Sequence, residues 1–360
     1  MARPAPPITI SAPMHIPPPA IAAQAELHHQ LLLGLQLMVA TREGPQVVGD
    51  WIFRLFRQQH EDKFLSSFGK LGLQGLPHAV ACARYHVLSN GIGGVAVEYM
   101  EESERKAWVR FRYPRWMFDG ATICGVPLQA SRGFLRGWYA HNGVSLGNPR
   151  LGFVCVSEDM SGQFGLCGYF READHDLADD QRLVFAPHER PPPFDPARQP
   201  QPPESEWSAE RLAKARRNYA VDYIRNGVAA LVGVLGRERA LPLITHAARL
   251  TGLQHYRRMA EAVGGVDGGP NEAVTFLAAM FEGMGDACRI ETGAMARLHQ
   301  QGLRVLRGLQ AEARADLLAC WTELWRGALH SHRAFMALSV EPAGDDRLVW
   351  TIVSTGERSS

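Results

Sequence analysis

A chain of 360 residues, 46% hydrophobic and 21% charged, is long enough for about two globular domains. Its formal charge of +1 and pI near 7.8 give no concentrated basic face for a nucleic acid, and no apolar run approaches the roughly 18 to 20 residues that span a bilayer. The six cysteines show no C-x-x-C pair, so they read as buried thiols of a reducing compartment, and neither metal nor cofactor is expected.

Residues 1–24 are proline-broken and lack the apolar core of a signal peptide, which predicts a disordered leader on a cytoplasmic protein. Ala25 to Val39 and Val47 to Leu71 follow with helical spacing. Leu76 to Tyr99 opens as a third helix and meets Gly91, Gly93 and Gly94, which weaken it. Lys106 to Tyr113 alternates with period two and predicts a strand, Gln129 to His141 a helix, and segments 151–159 and 163–170 a β-hairpin. Proline saturates Pro187 to Pro203, which reads as a linker over 186–207.

The second half repeats that order. Helices are expected over Arg211 to Leu235, with Ser208 as N-cap, then Arg239 to Val263, and Glu272 to Arg289 up to a Gly283-Met-Gly285 interruption. A weaker strand near Met295 to Val305, a helix from Glu312 to Ala328 and a hairpin of 335–341 with 347–353 complete it. Trp138 and Trp321 stand at the same spacing before Arg150 and Arg333, and one single-residue gap then aligns Phe153 with Phe335, Ser157 with Ser339 and Gly162 with Gly344. The chain therefore reads as an α+β protein of two tandem homologous units, 25–185 and 208–356, each with helices, a strand, a helix and a C-terminal β-hairpin.

The first unit closes with Phe134-Leu-Arg-Gly-Trp-Tyr-Ala, then Ser157-Glu158-Asp159, Ser161-Gly162 and Cys167-Gly-Tyr-Phe170. This pattern resembles the 4-vinyl-reductase ligand-binding domain. The second unit, Arg216 to Val353, resembles the L-2-amino-thiazoline-4-carboxylic acid hydrolase-like family, although its hairpin carries Arg347 and Trp350 and no cysteine at the matching place. The resemblances imply either a hydrolase acting on a carbon–nitrogen bond of a small anionic substrate, or a non-catalytic small-molecule binding or sensory module.

Candidate chemistry concentrates in the second unit. Glu282 and Asp286, four apart, would share a helix face as paired carboxylates, and Cys288 is a candidate nucleophile. In the hydrolytic reading His332 or His330 activates water, Glu282 or Glu291 moves the proton, and Arg333 holds a substrate anion. The matching loop of the first unit offers Tyr139, His141 and Arg150 as substrate contacts. A small-molecule ligand is the expected partner, a homo-oligomer is compatible with the sequence, and the G-x-S-x-G of Gly143 to Gly147 lies in the wrong order for a nucleophile elbow.

Overall fold

The computed structural model describes residues 18–202, 207–264, 267–333 and 335–355. Residues 1–17 of the expected leader lie outside that range, while residues 18–24 are helical and buried for the most part. The fold is α+β with two antiparallel-rich sheets, and the described residues cluster into two bodies, one within 32–243 and one of 18–31 with 244–355.

The 32–243 body begins in α1 (Pro18–Glu43), whose later half it contains, followed by α2 (Pro45–Lys63) and α3 (His78–Ile92). Gly44 at φ +90 turns the chain, and Pro45 starts α2 where a missing N–H costs nothing. β1 (Val97–Ser103), absent from the sequence reading, follows as soon as Gly93 and Gly94 stop α3, and it pairs with β2 (Lys106–Phe111). After α4 (Leu128–Gly137) and the single turn α5 (Asn142–Ser145), β3 (Leu151–Ser157) pairs with β4 (Cys167–Glu172). β5 (Leu183–Phe185) joins β3 in parallel, giving the order β1-β2-β4-β3-β5. The expected second hairpin arm starts at Cys167 and not at 163, because the chain between β3 and β4 is a turn in which only Glu158, Asp159 and Leu166 are buried.

One face of this sheet packs Phe153 and Phe170 toward Tyr139 and His86. The opposite face, Met100, Trp108, Val154, Val156, Cys167 and Tyr169, is also buried and is joined by Ala186 and Phe164. The proline-rich stretch runs beside it. Glu189 accepts a hydrogen bond from the Tyr169 hydroxyl, and the Gln199 amide bonds both the N–H and the carbonyl of Tyr99, standing in for a neighbouring strand at the β1 edge. α6 (Ala209–Leu235), capped by Ser208 as expected, completes the body against α2, where Trp51 donates to the Gly227 carbonyl at 2.7 Å.

Backbone packing in this body is close where glycine allows it. A Cβ on Gly133 would meet the Gly49 carbonyl oxygen, and one on Gly137 the Phe53 carbonyl, so α4 lies directly on the backbone of α2.

In the second body, the first part of α1 accompanies most of α7 (Arg237–Ala262), α8 (Pro270–Met284) and α9 (Ala311–His332). Gly285, at φ +97, ends α8, and the chain then forms β6 (Ala287–Glu291), a second strand that the sequence reading missed. With β7 (Met295–Gln301), β8 (Met336–Pro342) and β9 (Arg347–Ser354) it gives the order β6-β7-β9-β8. Leu298, Trp350, Ile352 and Leu338 fill one face of this sheet, and Trp350 meets Phe281 of α8 at 5.2 Å between ring centres. α7 and α9 repeat the close backbone contact: a Cβ on Gly252 would strike the Leu324 carbonyl, and one on Gly327 the Arg249 carbonyl. No helix among the described residues is long and apolar enough to cross a membrane.

Candidate functional site

The site begins with α3. Its residues Tyr85, His86, Ser89 and Asn90 recur at helical spacing and face α2 through Phe56, the end of α4 through Phe134 and Trp138, and α6 through Tyr219 and Tyr223. With Gly93 and Val95 these side chains enclose a cavity of about 30 Å³ within the 32–243 body. That is room for roughly two water molecules. Tyr219, Asn90 and Gly93 are half-buried, while the other lining residues are buried, so those three form the rim.

The lining is aromatic and electrically quiet. Tyr85 stacks on Trp138 at 6.2 Å, and Phe56 meets Phe134 edge-on at 4.7 Å. His86 stacks on Tyr139 at 3.9 Å and on Phe170 at 5.4 Å, with Asn142 Nδ2 3.0 Å from its Nε2. Burial, and secondarily His60, keeps its pKa well below the ordinary histidine value, so the ring is neutral. Burial likewise lowers His60 to about 3, helped by His141 and Arg57, and raises the phenols of Tyr85, Tyr139 and Tyr223. Polar handles remain: Ser89 and Tyr219 share a 2.9 Å hydrogen bond, and the buried Trp138 Nε1 has no hydrogen-bond partner.

Behind Phe134 lies a buried ionic cluster that the sequence reading did not single out. The Asp159 carboxylate accepts from Arg115 at 2.5 Å and from the hydroxyls of Tyr113 and Ser131. Arg115 lies over the rings of Phe111 at 4.3 Å and Phe134 at 5.4 Å. Burial opposes the charge, but the Asp159 carboxylate and its hydrogen bond raise the guanidinium pKa, so Arg115 stays charged. Glu158 is held bidentately by Arg132 at 2.8 and 2.9 Å. The Ser157–Asp159 segment and its glycine turn thus build a polar anchor under the hairpin. The basic and aromatic run Arg110 to Arg115 was the available signal, but a period-two pattern reads only as a strand.

The residues expected to act in the second unit fall into separate places. Glu282 and Asp286 do not share a helix face, because α8 stops at Met284 and Gly285 turns the chain; the paired-carboxylate arrangement is corrected on that ground. Asp286 is buried and accepts from Gln300 Nε2 at 2.7 Å and from the Arg304 N–H at 2.9 Å. Burial raises Glu282, and burial followed by Glu282 and Asp286 raises Cys288, the opposite of what a nucleophilic thiol needs. Glu291 lies on β6 between Arg289 at 2.5 Å and His299 at 3.2 Å, which lower its pKa.

His332 ends α9 with Nδ1 bonded to the Tyr256 hydroxyl and Nε2 3.0 Å from the Gly268 carbonyl oxygen. Burial lowers its pKa, against the Gly268 contact and Asp267. Arg333 bonds Asp267 at 3.0 Å, and His330 meets Arg249 at 3.2 Å. None of these partners is Glu282 or Glu291. In the first unit Tyr139 is buried in the aromatic core, His141 abuts His60 at 5.1 Å, and Arg150 is exposed in an open groove with His78, Asn148 and His175. Among the described residues, no group of three or more His, Cys, Asp or Glu side chains is placed to hold a metal ion. No protein-family model, curated protein or solved structure matches the chain.

Proposed function

We propose that the 32–243 body is a small-molecule binding module whose ligand, a small apolar or aromatic molecule, occupies the cavity beneath Tyr219. The observation that carries this reading is the cavity's composition: aromatic rings on all sides, imidazole and phenol groups held neutral, and one buried indole N–H left to donate. Such a lining favours an uncharged ring over an ion, since a desolvated charge would find no counter-charge among the lining side chains. A ring needs more than 30 Å³, so binding would swing Tyr219 outward, breaking its bond to Ser89.

The test is a thermal-shift and calorimetric titration with toluene, phenol and indole, followed by mass spectrometry of the mixtures. Saturable stabilisation without a new product is expected, together with its loss in Ser89→Leu, which fills the cavity. Absence of binding by all three probes would overturn the reading. A hydrolysis product from a small carbon–nitrogen heterocycle would replace it with the catalytic one.

We further propose that the chain derives from two copies of one unit. In each copy, α1 to β4 and α6 to β9, two helices are followed by a third, two strands, a helix and a hairpin, and β1-β2-β4-β3 has the same order as β6-β7-β9-β8.

A further inference from the structure

We infer that the two copies have exchanged opening helical segments, residues 18–31 of α1 against α6, so that each body is completed by a segment belonging to the other copy. This rests on reading the chain as two sequential copies.

The opening helix of the first copy is α1, yet its residues 18–31 belong to the body that holds 244–355. There Ala20 lies so close to Gly283 of α8 that a Cβ on the glycine would meet its carbonyl oxygen. Gln24 Nε2 reaches Met284 Sδ at 3.6 Å, Glu26 pairs with Arg258 at 2.8 Å, and His28 stacks on Trp321 at 5.2 Å. Ala20, Gln24, Leu27, His28 and Leu31 are buried and follow one helical stripe.

The opening helix of the second copy is α6, and it belongs wholly to the 32–243 body. Besides the Trp51 bond to Gly227, Lys63 pairs with Asp222 at 2.5 Å, Arg54 donates to the Gly233 carbonyl at 2.8 Å, and Tyr223 meets Phe56 at 5.8 Å. Tyr219 and Tyr223, four apart on α6, face the cavity that contains Trp138. His28, which Gln24 four residues before it reaches at 3.4 Å, stacks on Trp321, which the sequence repeat aligns with Trp138. The exchanged helices therefore meet matched tryptophans in the two bodies. A consequence follows for the cavity: two of its aromatic walls come from the other copy.

Two measurements on the full chain test this. Replace residues 203–206 with a site-specific protease sequence, cut the folded protein, and follow it by gel filtration and calorimetry. The exchange predicts that both fragments elute as one particle; recovery of two separately folded fragments would overturn it while leaving the copy reading intact. Second, Gly283→Leu in the uncut chain should drive residues 18–31 off α8. Hydrogen exchange would then speed by roughly tenfold or more over 18–31 and 270–284, with 45–63 and 128–137 unchanged. Slow exchange of 18–31 in that variant would also overturn the inference. A failure of the copy reading alone would instead appear as different strand orders for the two sheets in cross-strand NMR contacts.

Discussion

At the residue scale, burial converts groups that look reactive in sequence into structural ones. Asp286 shows this most clearly. Trp350 Nε1 donates to Gln300 Oε1 at 2.8 Å, and Gln300 Nε2 donates to Asp286, so the carboxylate ends a hydrogen-bonded chain inside the 244–355 body. Burial lifts its pKa from 3.8 to about 6, against the opposing pull of the Arg304 N–H and Gln300. The folded state thus binds a proton more tightly than the unfolded chain, and between about pH 4 and 6 it carries more protons. Stability should fall as pH rises through that window and level off above it, a change of roughly 2 to 3 kcal/mol. Urea unfolding at pH 4, 5, 6 and 7 would read this slope. In Asp286→Ala the slope should flatten; an unaltered slope would assign the titration to another group.

At the element scale, glycine decides where helices touch. Gly252 and Gly327 let α7 and α9 meet backbone to backbone, so Gly252→Ala should cost about 3 kcal/mol or more, because the clash is with the Leu324 carbonyl and not with a movable side chain. Gly91, in α3, has nothing within 4 Å of the position its Cβ would take. Gly91→Ala should accordingly raise stability by roughly 0.5 to 1 kcal/mol through helix propensity. Denaturant midpoints of the two variants should move in opposite directions. The same physics explains what was legible. Long helices and the two hairpins announce themselves by period, and Ser208 by its chemistry. β1 and β6 were missed because each follows directly on a helix that ends at glycine, and a five- to seven-residue strand there gives too few alternations to separate from a fraying helix. Of the candidate site only Trp138 stood out, through the repeat and not as a ligand contact, while Tyr139, expected to touch substrate, lies outside the cavity lining. Tyr219, Tyr223 and Ser89 did not stand out, since their convergence depends on which body α6 joins, and no local pattern encodes that.

At the scale of the whole molecule, the two bodies share an order of strands but differ in what their centres offer. The 32–243 body has a cavity walled by phenols and other rings; in the other body the matched tryptophan, Trp321, whose Nε1 lacks a hydrogen-bond partner as that of Trp138 does, is stacked on His28, which burial and His29 keep neutral with a pKa of about 3. Both sheets keep a buried inner face, but only the first has a further strand, β5, and the clasp of Gln199 on its edges. A ligand for this protein should therefore act unequally on its halves. Saturating toluene or indole should slow hydrogen exchange in 78–92, 128–138 and 209–227, the segments that line the cavity, while 287–301 and 347–354 keep their unliganded rates. A three- to fivefold slowing corresponds to roughly 0.7 to 1 kcal/mol of added local stability, and a hundredfold excess over Kd raises the ceiling to about 2.7 kcal/mol. Equal slowing of the 287–301 strands would place binding elsewhere, since no residue of that sheet lines the cavity.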